Sequence, residues 1–306
     1  MKRLLQLLLF ATLSFAAAEG YSDRGTLENL YEKILKPNYE KIAPLHDYAR
    51  KRQTSYIISA ILALLVFVLF VKYFKAFGAL VAILMIAGGV WYLRTQTPVI
   101  SPYKAKFAEL ILTPIAEHCC GYRYLPGKIA KADIDAGKLF SPRIKHFTAQ
   151  EGLFVKKGVK AGYVEIEFDT KENASVERFA ENIFRGFVII LDRPHQGNGA
   201  IVSEGFKEKV ADIDPEFSAF FSDLPRRGKE EGFLLFGDVA ENIVDRCHRF
   251  ADREIALAMT KQKSYIFWYR DRDPLDPDLY GRFDLKSAEG YASLFKEIDT
   301  LVQNCP

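Results

Sequence analysis

From Tyr56 to Leu93 the chain is apolar almost without interruption, broken once at Lys72-Tyr73-Phe74-Lys75. Tyr56 to Val71 reads YIISAILALLVFVLFV, and Ala76 to Leu93 reads AFGALVAILMIAGGVWYL, with Phe77 its first large side chain. Each run approaches the roughly 20 apolar residues that a helix needs to cross a bilayer. Both are apolar all round, where a surface helix would show one apolar stripe. Ser59, the strongly polar side chain inside these runs, can bond a carbonyl one turn back. A lysine at the bilayer centre costs about 2.5–3.5 kcal/mol, so Lys72 and Lys75 mark a turn at an interface. Trp91 and Tyr92 fall where an aromatic belt lies, and Gly78, Gly88 and Gly89 allow close helix packing. The pattern predicts a transmembrane α-hairpin over residues 55–94.

On either side the pattern changes. Leu27, Leu30, Tyr31, Ile34 and Leu35 recur at helical spacing within residues 20–54, with Pro37 as a stop. Tyr39, Ile42 and Leu45 add a second short amphipathic piece, and the expectation is a surface helix lying near the bilayer or meeting a partner. Beyond the hairpin, Tyr103 to Cys120 predicts a helix kinked at Pro114, and Gly121 to Gly127 a turn. Asp133 to Phe140 reads as a short helix capped by Asp133. Strands are expected over Phe147–Val155 and over Gly162–Asp169, where Glu165 and Glu167 give one wet face. Arg185 to Asp192 is read as a continuous apolar run, the mark of a buried central strand. Short strands follow at 200–203, 233–236, 255–259 and 264–269, with helices over 240–250 and 287–302. Residues 95–306 therefore predict a soluble α+β domain with a mostly antiparallel sheet and flanking helices.

Composition changes this picture little. Over 306 residues the chain is 49% hydrophobic and 26% charged, which averages an apolar first third with a polar remainder. A net charge of +3, with no basic stripe interleaved with aromatics, argues against nucleic acid. Charge position matters more. Lys2 and Arg3, an apolar run from Leu4 to Phe15 and Ala16-Ala17-Ala18 have the layout of a signal peptide over residues 1–19. A signal would place the soluble domain outside the cell. Lys41, Arg50, Lys51, Arg52, Arg94, Lys104 and Lys106 flank the outer ends of the hairpin, which places both ends in the cytoplasm. The two signals conflict; the charges favour a multi-pass inner-membrane protein with a cytoplasmic domain.

The order of elements resembles a bacterial family of membrane proteins of unknown activity, the domain of unknown function 3137. The resemblance is carried by the lead-in LENLYEKILKPNYEKI, the two spanning helices, Gly121-Tyr122-Arg123-Tyr124, Phe184-Arg185-Gly186-Phe187 and Asp214-Pro215-Glu216-Phe217. It covers most of the chain after residue 25, and Met1 to Gly20 depart from it. The resemblance implies architecture; it brings no known activity or site.

Candidate chemistry is sparse. His118, Cys119 and Cys120 with Cys247 and His248 offer ligand types for zinc, yet no CxxC spacing supports them, and adjacent helical residues point about 100° apart. The alternative is a set of small buried apolar cysteines. Arg193, His195, Gly197 and Gly199 form a loop whose backbone N–H groups could cradle an anion; a plain turn is the simpler account. Arg270 to Asp278 groups four carboxylates that calcium could use, although the spacing is not that of an EF-hand. No nucleophile elbow, P-loop or HExxH occurs. No cofactor and no catalytic residue is expected. The expected function is a membrane-anchored, non-catalytic module that binds a protein partner or the membrane surface, self-association through the hairpin included. The competing expectation is a membrane-tethered enzyme with its site around Arg193–Gly199.

Overall fold

The computed structural model describes residues 27–96, 100–137, 144–150, 152–168, 183–195, 199–206, 226–230, 233–237 and 253–304, with isolated positions at 243, 246–247 and 250. The signal-like segment, the Asp214–Phe217 bend and most of the expected helix at 240–250 lie outside these residues. Among the described residues the fold is α+β, with ten strands in one antiparallel sheet and long helices against it.

Helix α1 covers residues 27–96: Leu27–Leu30, a π-helical turn Tyr31–Leu35, then Lys36–Gln96. The chain does not stop at Pro37. A proline removes one N–H and its ring crowds the carbonyl four residues back. The π turn widens the helix just ahead of it, with the Lys36 N–H reaching the Tyr31 carbonyl five residues back. Helix α2 (residues 100–120) repeats the device, with a π turn at Ala108–Leu112 ahead of Pro114. The Leu110 carbonyl, deprived of its partner by Pro114, accepts a hydrogen bond from Asn38 Nδ2 at 3.0 Å. Gly121, at φ 71°, ends α2, with its own N–H on Glu117 O and that of Tyr122 on Ala116 O.

The predicted break at Lys72–Lys75 is helical, so the two expected helices form one helical run. That run is not a straight rod. At about 1.5 Å per residue it would carry Gln96 roughly 75 Å beyond His46. Tyr103, which seven further residues bring at most about 25 Å back, has its ring 5.4 Å from that of His46. The run must bend back between those points.

A stripe at seven-residue spacing runs along α1. Leu35, Ile42 and Ala49 are buried, and Tyr56 and Ala63, further up, are only partly exposed, as is Phe67. Tyr103, Phe107 and Ile111 of α2 are buried in the same core as the lower part of this stripe. The lead-in helix is thus a core element of the soluble domain, where a surface helix was expected. Its apolar face is consumed by α2 and by Phe283, whose ring lies 5.9 Å from that of Tyr31 and 5.5 Å from that of Tyr39.

The sheet runs β1 (Arg123–Leu125), β3 (Leu153–Lys156), β4 (Val159–Phe168), β5 (Ile183–Leu191), β10 (Ser264–Tyr269), β9 (Ile255–Met259), β6 (Gly199–Ser203), β8 (Phe233–Gly237) and β7 (Arg226–Glu230); β2 (Ile144–Ala149) pairs with the far half of β4. Strand β5 is central, with Leu191 opposite Val159 on one side and Ser264 on the other. Its residues are buried because both faces are covered. Tyr163, Phe187, Ile189, Ile266 and Trp268 point toward the helices, and Val188, Ile190, Phe267 and Phe184 toward the second core. Helix α3 (Lys131–Ala136) packs Ile134 into that second core. Asp133 is its third residue, not its cap, and its carboxylate accepts the Ala130 N–H. Helix α4 (Leu285–Asn304) lies on the first face with Phe295, Ile298 and Leu301 inward.

Three details differ from expectation. The turn expected at Gly121–Gly127 contains the edge strand β1, held by pairing to β3. The strand expected over Phe147–Val155 is two strands, β2 and β3, both pairing the same edge of β4. Strand β7 (RRGKE) was missed because it carries no alternating apolar pattern.

Candidate functional site

Where α2 leaves the apolar run, a cleft of about 480 Å³ opens between that helix, the β2–β4 corner of the sheet and the loop after β10. Lys104, Ala105, Ala108 and Leu112 form its helical wall. Tyr163 and Glu165 from β4, Phe154 from β3, and Thr148 with Gln150 at the end of β2 form its floor. Tyr124 and Lys128 close one side, and Asp273, Leu275, Asp276 and Pro277 the other. Gly152 matters to the shape: its φ is +122°, and a Cβ there would meet the Tyr124 ring at 2.5 Å. The bare backbone leaves room for the Tyr124 ring, which meets Phe154 edge-on, centroids 5.6 Å apart.

The loop is self-built. Asp273 Oδ1 accepts the Leu275 N–H at 2.9 Å and its carbonyl accepts the Asp276 N–H at 3.2 Å, fixing a tight turn. Lys104 and Asp276 form an ion pair at 2.6 Å that ties loop to helix. The Tyr163 hydroxyl donates to the Arg270 carbonyl at 3.1 Å, tying loop to sheet. Burial pushes the Asp273 carboxyl up to about 7; the Leu275 N–H and Lys104 oppose the rise, while the charges of Asp276 and Glu165 add to it. Near neutral pH this carboxyl therefore sits between its two protonation states, and a small change in surroundings decides which it takes. Arg270 stacks on Trp268, its guanidinium carbon 3.9 Å from the ring centroid, and pairs with Glu297 of α4, so its charge is turned away toward the helix.

The residues singled out from the sequence do other work. Arg193 Nη1 donates to the Val302 carbonyl at 2.9 Å, capping the last turn of α4. Ser264 Oγ lies 3.2 Å from the Arg193 carbonyl, within reach to donate to it. His195 Nε2 lies 2.7 Å from that oxygen, the ring's tautomer deciding which of the two donates. Burial, then the neighbouring Arg193 charge, lowers the His195 pKa and keeps the ring neutral. Ser264 is fully buried, so its hydroxyl is out of reach of a substrate. Gly199 begins β6, and Gly197 lies outside the described residues. The loop crosses the end of the β9–β10 hairpin, where the His195 N–H donates to the Thr260 carbonyl.

Among the described residues no group of three or more His, Cys, Asp or Glu is placed to hold a metal. His118, Cys119 and Cys120 end α2, Cys247 is buried in the core, and His248 lies outside the described residues. No disulfide joins the cysteines described, and burial raises the thiols of Cys119 and Cys120, the latter to about 11. The four carboxylates of the 270–278 loop separate: Asp271 accepts from the Tyr269 hydroxyl, Asp273 turns the loop, Asp276 pairs with Lys104, and Asp278 accepts the Tyr280 N–H. Sequence reasoning had marked this loop and Glu165, yet not their meeting across the sheet. The nearest signal was a charged residue recurring inside an alternating strand beside a proline-rich acidic loop.

No family model matches the chain, and no curated protein matches it. Among solved structures, a crystal structure of the mycobacterial trehalose monomycolate transport factor A, TtfA, aligns with 64% of this chain and 94% of that one, at 13% identity and a TM-score of 0.30. Agreement at that level carries no inference about fold or function.

Proposed function

We propose that the protein is a membrane-anchored, non-catalytic binding module: residues 55–94 form a hairpin in the inner membrane, and the α+β domain presents its cleft beside the bilayer on the cytoplasmic side. The observation that carries this reading is the exposure of the apolar run. Ile57, Ile58, Ile61, Leu62, Leu64, Leu65, Val68 and Leu69 are all 46–62% exposed, and no residue of the most apolar window is buried. In water such a surface would be far beyond the few hundred Å² that soluble proteins leave open, and a bilayer is its natural solvent. The return of the chain from Gln96 to the His46 level supports a hairpin over a single crossing. The partly exposed stripe Tyr56–Ala63–Phe67 faces where a returning helix would pack. Arg50, Lys51, Arg52 and Arg94 at the outer ends support a cytoplasmic domain. The full burial of Ser264, the hydroxyl beside His195, gives no support to the enzyme reading at that loop.

A topology experiment tests the proposal. Reporters active on one side of the membrane are fused after Pro306 and, separately, inserted between Lys72 and Lys75. The proposal expects the C-terminal fusion to be active only in the cytoplasm and the insertion only outside. Both on the same side, or a chain that washes off membranes at alkaline pH, would refute it.

A further inference from the structure

The outward face of α1, at the foot of the apolar run, has a chemistry of its own. Asp47, Arg50, Lys51, Ser55, Ile58 and Ser59 line an open hollow of about 620 Å³ there. Thr54, also on its wall, is within reach to donate to the Arg50 carbonyl at 2.9 Å. At about 100° per residue, Asp47, Lys51, Thr54 and Ile58 fall about 140–200° round the helix from Ala49, opposite the stripe that the core uses. The same face continues upward through Leu62, Leu65 and Leu69, each more than half exposed. Arg50 and Lys51 are exposed, and neither has an ion-pair partner among the described residues. Arg52 differs: its Nε donates to the Tyr56 hydroxyl at 3.1 Å and its guanidinium lies over that ring, on the stripe side. Asp47 is exposed as well, its Oδ1 3.7 Å from His46 Nδ1. Among the described residues the hollow therefore sets two uncommitted cations against one carboxylate.

Depth supplies the second half of the argument. A bilayer roughly 40–45 Å thick has a hydrocarbon core of about 30 Å, which leaves roughly 5–8 Å of headgroup on each side. At about 1.5 Å per residue, Ser55 stands about 5 Å below Ile58 and Lys51 about 10 Å below it. With Ile58 at the edge of the hydrocarbon, Ser55 lies among the glycerol esters, and the long Arg50 and Lys51 side chains reach the phosphates. We propose that this hollow binds the headgroup of a singly charged anionic phospholipid. Arg50 and Lys51 hold the phosphate, Ser55 and Ser59 offer their hydroxyls to the ester oxygens, and an acyl chain follows Leu62, Leu65 and Leu69. An acidic peptide would answer the two cations and leave the apolar face above them bare; a lipid answers both. The assignment rests on the membrane reading of residues 55–94.

The test is titration of the delipidated full chain in dodecyl maltoside with phosphatidylglycerol, phosphatidylethanolamine and phosphatidylcholine, bound lipid being counted by native mass spectrometry. One phosphatidylglycerol should bind about tenfold more tightly than either zwitterionic lipid. Arg50→Gln and Lys51→Gln should each weaken it about fivefold, the usual worth of one basic residue at an anionic surface. Arg52→Gln, which removes an equal charge from the stripe side, should cost less than about twofold, and Asp47→Asn should tighten binding about twofold. Phosphatidylethanolamine bound as tightly as phosphatidylglycerol, or an Arg52→Gln loss equal to that of Arg50→Gln, would overturn the assignment. Integration of the same preparation into vesicles, scored by resistance to an alkaline wash, is read separately. A chain that integrates without preferring phosphatidylglycerol overturns the headgroup site alone; a chain that does not integrate overturns the membrane reading and the site with it.

Discussion

One helix, α1, carries apolar side chains along most of its length, yet its two ends meet opposite fates. In residues 27–49, Leu30, Leu35, Ile42 and Ala49 are at most 3% exposed, packed on α2, Phe283 and α4. In residues 57–69, leucines and isoleucines of the same kind stand at least 46% exposed, with Leu64 at 62%. The same side chains can be part of a protein core or a surface for another solvent; what decides is whether the rest of the chain supplies a second layer. The lower half receives one because α2 and α4 come back against it. The leucines and isoleucines of the upper half have no such layer over them and stand exposed. Hydropathy already separates the two halves, since only the upper one is apolar all round. The difference lies in where the polar residues fall: the lower half alternates Leu35, Ile42 and Ala49 with Glu32, Lys36, Glu40 and Lys41, which commits one face to protein and the other to water.

The strongest way to break the comparison is to hollow out the rooted end. Leu35→Ala removes a fully buried side chain between α1 and the domain core and should cost about 2–5 kcal/mol of domain stability. Urea unfolding of the detergent-solubilised chain, followed by near-ultraviolet circular dichroism, checks this. A loss below about 0.5 kcal/mol would mean the lead-in helix is not part of the cooperative unit.

At the other end, charge tests better than size. Leu65→Lys places an ammonium in the middle of the exposed run, where membrane insertion should become less favourable by about 2.5–3.5 kcal/mol. The expected result is a fall in the membrane-integrated fraction in an insertion assay, with the urea midpoint of the domain unmoved. Unchanged integration would show that this run never enters the bilayer.

The joint between the two halves of the fold is polar and small. Asn38 answers the one carbonyl that Pro114 strips of its helical partner. Asn38→Ala leaves the Leu110 carbonyl unpaired and should cost about 1–3 kcal/mol. Adding Pro114→Ala restores an N–H four residues on, so the loss should shrink in the double variant. Equal losses with and without the proline would show that Asn38 acts by some other route.

Much of this architecture was legible from pattern. The ranges 255–259 and 264–269 were read residue for residue because a strand buried on both faces shows as a short, dense apolar run. The C-terminal helix was found within two residues at each end, since its apolar face repeats at helical spacing. Prolines misled: Pro37 looked like a stop, and nothing in the sequence signals that a π turn will absorb it. Edge strands β1 and β7 were invisible, because three or five residues with exposed or charged side chains take their structure from a neighbour's hydrogen bonds. The cleft was the least legible feature. Glu165 and Asp273 are more than a hundred residues apart, and only the register of β4 against β5, and of β5 against β10, brings that strand position and that loop to one corner. Single residues looked notable, but the site is a property of the register.

The smallest effect is the most telling, because it uses the substitution of the first experiment. Leu64→Ala removes the same atoms as Leu35→Ala from the same helix. Leu64 is 62% exposed and touches nothing that the domain core needs, so the urea midpoint of the domain should stay within about 0.5 kcal/mol of the parent. Its cost should register only in the bilayer, at about 0.8 kcal/mol for each buried methylene no longer placed in hydrocarbon. Comparing unfolding in detergent with partition into lipid vesicles separates the two. If Leu64→Ala destabilised the domain as Leu35→Ala does, the exposed half of α1 would have to be a second layer of the fold, covered by protein in place of lipid.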